Sequence, residues 1–154
     1  MKKRLVILVC MLAVSAQAAT WRPTERLLHA VRLVESAEGL LTWGDNGNSL
    51  GDFQLSEAAW LDVSAWRKAH GLPTYQYETH VWNRAASREY AADYLAILHR
   101  ALHKRLNRTP NPGELYAAYN MGLASFAQCQ YKLARVNPTT AKKCQQVNAI
   151  AGGR

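Results

Sequence analysis

The stretch that begins at Asn83 constrains this chain more than any other. Asn is a helix N-cap, because its side-chain oxygen accepts a backbone N–H that the first turn leaves without a partner. Behind it, Tyr90, Tyr94, Ile97, Leu98, Ala101 and Leu102 make a broad apolar face on a helix expected over about Arg84 to Leu106. That face must be covered by other elements. The segment is therefore read as the central helix of a mainly α core.

Of the 154 residues, 49% are hydrophobic and 19% charged, enough apolar surface for one soluble domain and too much for a disordered chain. Two compact domains are not expected at this length. No internal repeat, linker or low-complexity stretch interrupts the sequence.

The first eighteen residues stand apart. Lys2, Lys3 and Arg4 precede the apolar run Leu5 to Val14, and Ala16-Gln17-Ala18 supplies small residues at alternate positions. This is the pattern of a secretory signal peptide over 1–18, followed by a single domain over 19–154. The run is short for a membrane span, so no stable insertion is expected after cleavage. Removing it leaves 136 residues and, with three basic residues gone, lowers the formal charge from +8 to +5. Cys10 leaves as well, so Cys129 and Cys144 remain in an oxidising compartment and are expected to form a disulfide. Closing a loop of about 16 residues contributes roughly 3 kcal/mol in the chain-entropy model.

Before the long helix, Pro23 and Thr24 open a helical segment with apolar Leu27, Ala30, Val31 and Val34, which sets Glu35 beside a buried stripe near the helix end. From Gly39 to Gly51 the pattern breaks into turn formers, among them Asp45-Asn46-Gly47, and predicts a loop or short hairpin. Ser56 caps a short helix through Trp60 and Leu61, and residues 64–83 form an irregular, aromatic surface excursion. After the long helix, Pro112 suits a first helical position, Glu114 to Asn120 form another helix stopped by Gly122, and the remainder packs as one or two short helices clipped by the disulfide.

Several chemistries find no support. There is no P-loop, no G-x-G-x-x-G fingerprint and no G-x-S-x-G elbow. His99 and His103 have the spacing of a zinc helix, but Arg100 stands where a metalloprotease needs its Glu base, so a solvated helix face is expected and no metal or cofactor. The basic surface suits anionic polymers by long-range attraction. Nucleic acid is not the expected partner, since the chain carries a leader and lacks a basic aromatic stripe.

Three blocks carry the strongest signal: Val34-Glu35-Ser36-Ala37-Glu38-Gly39, then Trp43-Gly44-Asp45-Asn46-Gly47-Asn48-Ser49-Leu50-Gly51-Asp52-Phe53-Gln54-Leu55, then Ala117-Ala118-Tyr119-Asn120-Met121-Gly122. In this order they resemble the lysozyme-like muramidases. The first resembles the Glu-Ser block of lytic transglycosylases, the second their Gly-Leu-Met-Gln block and the third their Ala-Tyr-Asn-x-Gly block. Asp45, six residues before Gly51, also resembles the Asp of goose-type lysozymes. The run from Gly51 to Ser56 resembles the Gly-Pro-Tyr-Gln-Ile segment of invertebrate-type lysozymes. The chain departs from these patterns at Asp52, which replaces Leu or Pro, and at Ser56, where goose-type enzymes carry a second Asp.

The resemblance implies a lysozyme-like fold, with a central helix and a short loop or β-hairpin bearing part of the site. It implies a monomeric, periplasmic or secreted enzyme acting on peptidoglycan glycan strands at the N-acetylmuramic acid to N-acetylglucosamine bond. Glu35 is then the general acid and Asp45 its partner, while Ser49, Gln54, Tyr119 and Asn120 line the sugar cleft. Glycosidic cleavage needs a protonated carboxylic acid at the leaving oxygen, and an apolar setting favours that form. Asp45, in a polar loop, would stay ionised as nucleophile, stabiliser or orienter of water. Two other readings stay open: a lytic transglycosylase forming 1,6-anhydro ends, and a non-catalytic peptidoglycan-binding module. Glu38, Asp52 and Glu57 are read as solvated or capping, Trp60 and Trp66 as core, and Trp43 and Trp82 as candidate sugar subsites.

Overall fold

The computed structural model describes residues 21–44 and 47–152. The expected leader over 1–18 and the candidate carboxylate Asp45 lie outside the described residues. The elements run α1 (Glu25–Ser36), β1 (Trp43–Gly44), β2 (Ser49–Leu50), β3 (Leu55–Ser56), α2 (Glu57–Ala69), α3 (Tyr77–His80), α4 (Arg84–Leu106), α5 (Pro112–Met121), α6 (Leu123–Gln128), a 3-10 turn at Leu133–Arg135 and α7 (Pro138–Gly152). The chain is thus mainly α with one small antiparallel sheet, ordered β1-β2-β3. Trp43 pairs with Leu50 and Gly44 with Ser49; Ser49 pairs in turn with Ser56, and Leu50 with Leu55.

Local chemistry sets the helix starts. Thr24, Ser56 and Asn83 each accept a backbone N–H three residues on, from Leu27, Ala59 and Ala86. Asn111 and Glu114 form a reciprocal capping box with Pro112 at the first helical position. The long helix α4 has the expected bounds.

The most enclosed helix is nevertheless α5, not α4. Every residue from Gly113 to Tyr119 is buried, whereas α4 buries one face, with Tyr90, Ala91, Leu95, Leu98 and Leu102 inward. A helix covered all round shows no amphipathic stripe, so α5 gives no periodic signal of its central place. It packs against α7, α4 and α6, and α1 packs against α7.

The excursion begins later than expected, because α2 continues to Ala69. Trp60 is fully buried and stacks on Tyr90 at 3.8 Å, but Trp66 lies at the partly exposed edge of α2 against His70. Arg67 does the holding instead. Its Nε donates to the Pro73 carbonyl at 2.6 Å, its guanidinium reaches Asp93 at 2.6 Å and Glu89 at 3.0 Å, and it lies over the Tyr90 ring. Asp93 also accepts from Arg22. Residues 70–76 are thereby tied down on α2 and α4.

The C-terminal part holds one fifteen-residue helix, α7, and the expected Cys129–Cys144 disulfide is not formed. Cys129 caps the end of α6 with Sγ 3.5 Å from the Arg135 carbonyl, while Cys144 faces inward from α7 among core residues. Burial pushes the Cys144 thiol up to about 11, so it stays protonated and unreactive near neutral pH. Packing of α7 on α5 and α1 closes this region without a covalent clip.

Candidate active site

Glu35 occupies the last turn of α1. The helix stops there because Ala37 takes a left-handed conformation, φ 48°, and its N–H returns to the Leu33 carbonyl. The neighbouring Ser36 is buried; its hydroxyl donates to the Asp52 carbonyl at 2.6 Å and accepts from Gly39 N–H at 2.8 Å. The Glu-Ser pair thus has a division of labour, in which Ser36 staples the helix end to the sheet loop and Glu35 faces the cleft.

Asp52 is neither solvated nor capping. Its carboxylate is 13% exposed and sits 3.0 Å from Arg32 Nε and 2.9 Å from Arg84 Nε, joining α1 to the start of α4. Gly39 makes room for it, since a Cβ there would stand 2.8 Å from Oδ1.

The Glu35 side chain is 7% exposed and is held from three sides. The Tyr116 hydroxyl donates to Oε1 at 2.6 Å, and Asn120 Nδ2 donates to the same oxygen at 3.2 Å. Lys143 Nζ lies 3.5 Å from Oε2. Burial first, and then the charge of Glu35 and the hydrogen bond to it, push the Tyr116 hydroxyl far above its ordinary value, so it remains a donor. The Asn120 amide is oriented from behind: Thr140 Oγ1 donates to its Oδ1 at 3.0 Å, and Thr140 N–H is in turn bonded to Asn137. Tyr116 and Asn120 thus both donate to Oε1, while Oε2 faces the Lys143 ammonium.

Around Glu35 opens a cleft of about 560 Å³. It brings together residues of all three sequence blocks, with Glu35, Ser49, Gln54, Tyr119 and Asn120 on its walls. Gln54 has φ 47° and donates through Nε2 to the carbonyls of Gly51, at 2.9 Å, and Leu41, at 3.2 Å. Its Oε1 rests where a Cβ on Gly44 would stand, 2.0 Å away, so glycine is required for that side chain to lie across β1. Tyr119 presents its ring to the cleft, but its hydroxyl donates to the Phe53 carbonyl at 2.7 Å and ties α5 to the sheet loop.

Trp43 and Trp82 do not line this cleft. They pack on each other, centroids 5.1 Å apart, and both are exposed. His99 stacks on Trp21 at 4.0 Å, and no group of three or more His, Cys, Asp or Glu that could hold a metal occurs among the described residues. Among these residues, no helix is long and apolar enough to cross a membrane.

Two residues at the site escaped the sequence reading. Tyr116 lies one helical turn before Tyr119, and that spacing was the available signal. Lys143 arrives from α7 and carries no local signature. Comparison with protein-family models, with curated proteins and with solved structures returns no match.

Proposed function

We propose that this chain has a lysozyme-like fold and cleaves peptidoglycan at the β-1,4 bond between N-acetylmuramic acid and N-acetylglucosamine, with Glu35 as general acid. The observation that carries the reading is the setting of Glu35: a nearly enclosed carboxyl, fixed through one oxygen by Tyr116 and Asn120, on the wall of an open cleft. The cleft volume is in the range of small-ligand sites, and its remaining walls offer amide and hydroxyl groups suited to sugar rings.

In the reaction, the proton on Glu35 Oε2 passes to the glycosidic oxygen as the C1–O4 bond breaks, leaving positive charge on C1 and the ring oxygen. In hydrolysis, water adds its oxygen to C1 and returns a proton to the enzyme, with Asp45 as the charge opposite the acid. In a transglycosylase the muramoyl 6-hydroxyl attacks C1 instead, loses its proton to the Glu35 carboxylate, and closes a 1,6-anhydro ring. The leader pattern and the basic surface fit export to the periplasm or beyond, where the anionic wall lies.

The test compares Glu35→Gln and Asp45→Asn on purified peptidoglycan. Glu35→Gln keeps the shape but has no proton to give, and turnover should fall about 10²–10⁴-fold. Asp45→Asn should cost nearly as much in a hydrolase and far less in a transglycosylase. Wild-type turnover in the Glu35 variant would leave a binding module as the better account.

A further inference from the structure

Lys143 stands on α7, 108 positions from Glu35, with its side chain 32% exposed on the cleft wall. Its Nζ lies 3.5 Å from Glu35 Oε2, well beyond the ~2.7–2.9 Å of a close charged hydrogen bond. Glu35 and Lys143 are the charged residues among the described lining of the cleft. General-acid catalysis needs Glu35 protonated. In that state the ammonium faces a neutral carboxyl and has no acidic partner among the described residues. An ammonium has three donors and no acceptor, so on the cleft wall it suits an anion brought in by the substrate. Oε2 is also the oxygen that gives up the proton, which sets Lys143 beside the bond to be cut.

We propose that Lys143 binds a carboxylate of the substrate next to the scissile bond, and so makes the cleft select anionic amino-sugar polymers over neutral N-acetylglucosamine chains. This rests on the reading of the cleft as a glycan site. On a muramoyl unit the carboxylate comes either from the 3-O-lactyl group of a peptide-free strand or from the stem peptide of a substituted one. Both offer the same oxygen pair to Nζ.

Calorimetric binding to the Glu35→Gln protein, which holds the acid neutral and stops turnover, tests the proposal with three ligands: a neutral chito-oligosaccharide, a peptide-free muramoyl oligosaccharide and a peptide-bearing one. The expected result is an anionic preference of at least about tenfold at low salt that weakens as salt is added. Adding Lys143→Met abolishes that preference while the neutral ligand binds as before, and adding Lys143→Arg keeps it. The anionic ligand whose affinity depends on Lys143 identifies the carboxylate. Equal weakening of all three ligands would make Lys143 a prop for the cleft wall and overturn the proposal, as would equal binding regardless of Lys143. Binding of none of the three, with folding intact by thermal melting, would remove the glycan reading itself and the proposal with it.

Discussion

The Tyr116 hydroxyl lies 2.6 Å from Glu35 Oε1, although 81 positions separate the two residues in sequence. Tyr116 is fully buried on α5, and its hydroxyl points to the end of α1. Tyr116→Phe keeps the packing and removes the donor, leaving an enclosed acceptor oxygen short of a partner at a cost of about 1–3 kcal/mol. If that cost appears when the acid is poised, turnover falls about 10- to 100-fold. Initial rates with thermal melting check this, and an unchanged rate would detach Tyr116 from the chemistry.

Two glycines beside the cleft should fail in different ways. In Gly44→Ala the new methyl meets only the end of the Gln54 side chain, which can swing away, so substrate affinity should drop while stability changes by less than about 1 kcal/mol. In Gly51→Ala the methyl stands 2.2 Å from the Val81 carbonyl oxygen at a φ of +75°, and backbone has to move. Urea unfolding should show a loss of at least about 1–3 kcal/mol.

Asp93 holds a buried charge pair. It is 2% exposed and pairs with Arg67, itself 5% exposed. Asp93→Ala removes the buried counter-charge of the Arg67 guanidinium and leaves it only the half-exposed Glu89, and should cost about 3–5 kcal/mol in chemical denaturation. Replacing both residues with apolar side chains of similar volume should recover part of the loss. A mild single-variant effect would mean that the existing Glu89 pair is enough to hold the guanidinium.

Glu114 supplies a pH-dependent contribution. Burial alone would raise its carboxyl, but hydrogen bonds from Arg108 and from the Asn111 N–H, together with the Arg108 charge, outweigh it and lower the value in the folded state. A lowered folded value means that the carboxylate stabilises fully above the unfolded value, 4.5, and that this is lost as pH falls through the folded value. The stability gap between wild type and Glu114→Gln should therefore be level near neutral pH and shrink in acid. Urea midpoints at both ends of that range measure it, and a gap that widens in acid would contradict the assignment.

What could be read from sequence was what local chemistry decides. Thr24, Ser56 and Asn83 marked helix starts, the Gly39–Gly51 turn formers marked the sheet loop, and the three blocks supplied Glu35, Ser49, Gln54, Tyr119 and Asn120, which share one cleft. What escaped depends on how helices cross. Tyr116 and Tyr119 lie on neighbouring turns of α5, and only its packing decides that one hydroxyl reaches Glu35 and the other Phe53. Asp52 looked solvated because Arg32 and Arg84 are distant in sequence. Two cysteines in an oxidising setting suggested a bridge, yet their side chains turn to different surroundings.

The central claim is that Glu35 drives cleavage of the muramoyl bond, and mass spectrometry of fragments released from purified peptidoglycan by the chain lacking residues 1–18 tests it most directly. The account predicts fragments ending in muramic acid, absent when Glu35→Gln is used. Reducing ends identify hydrolysis, and anhydro ends, lighter by one water, identify transglycosylation. Fragments ending in reducing N-acetylglucosamine, or release of muramoyl fragments that persists in the Glu35 variant, would contradict it.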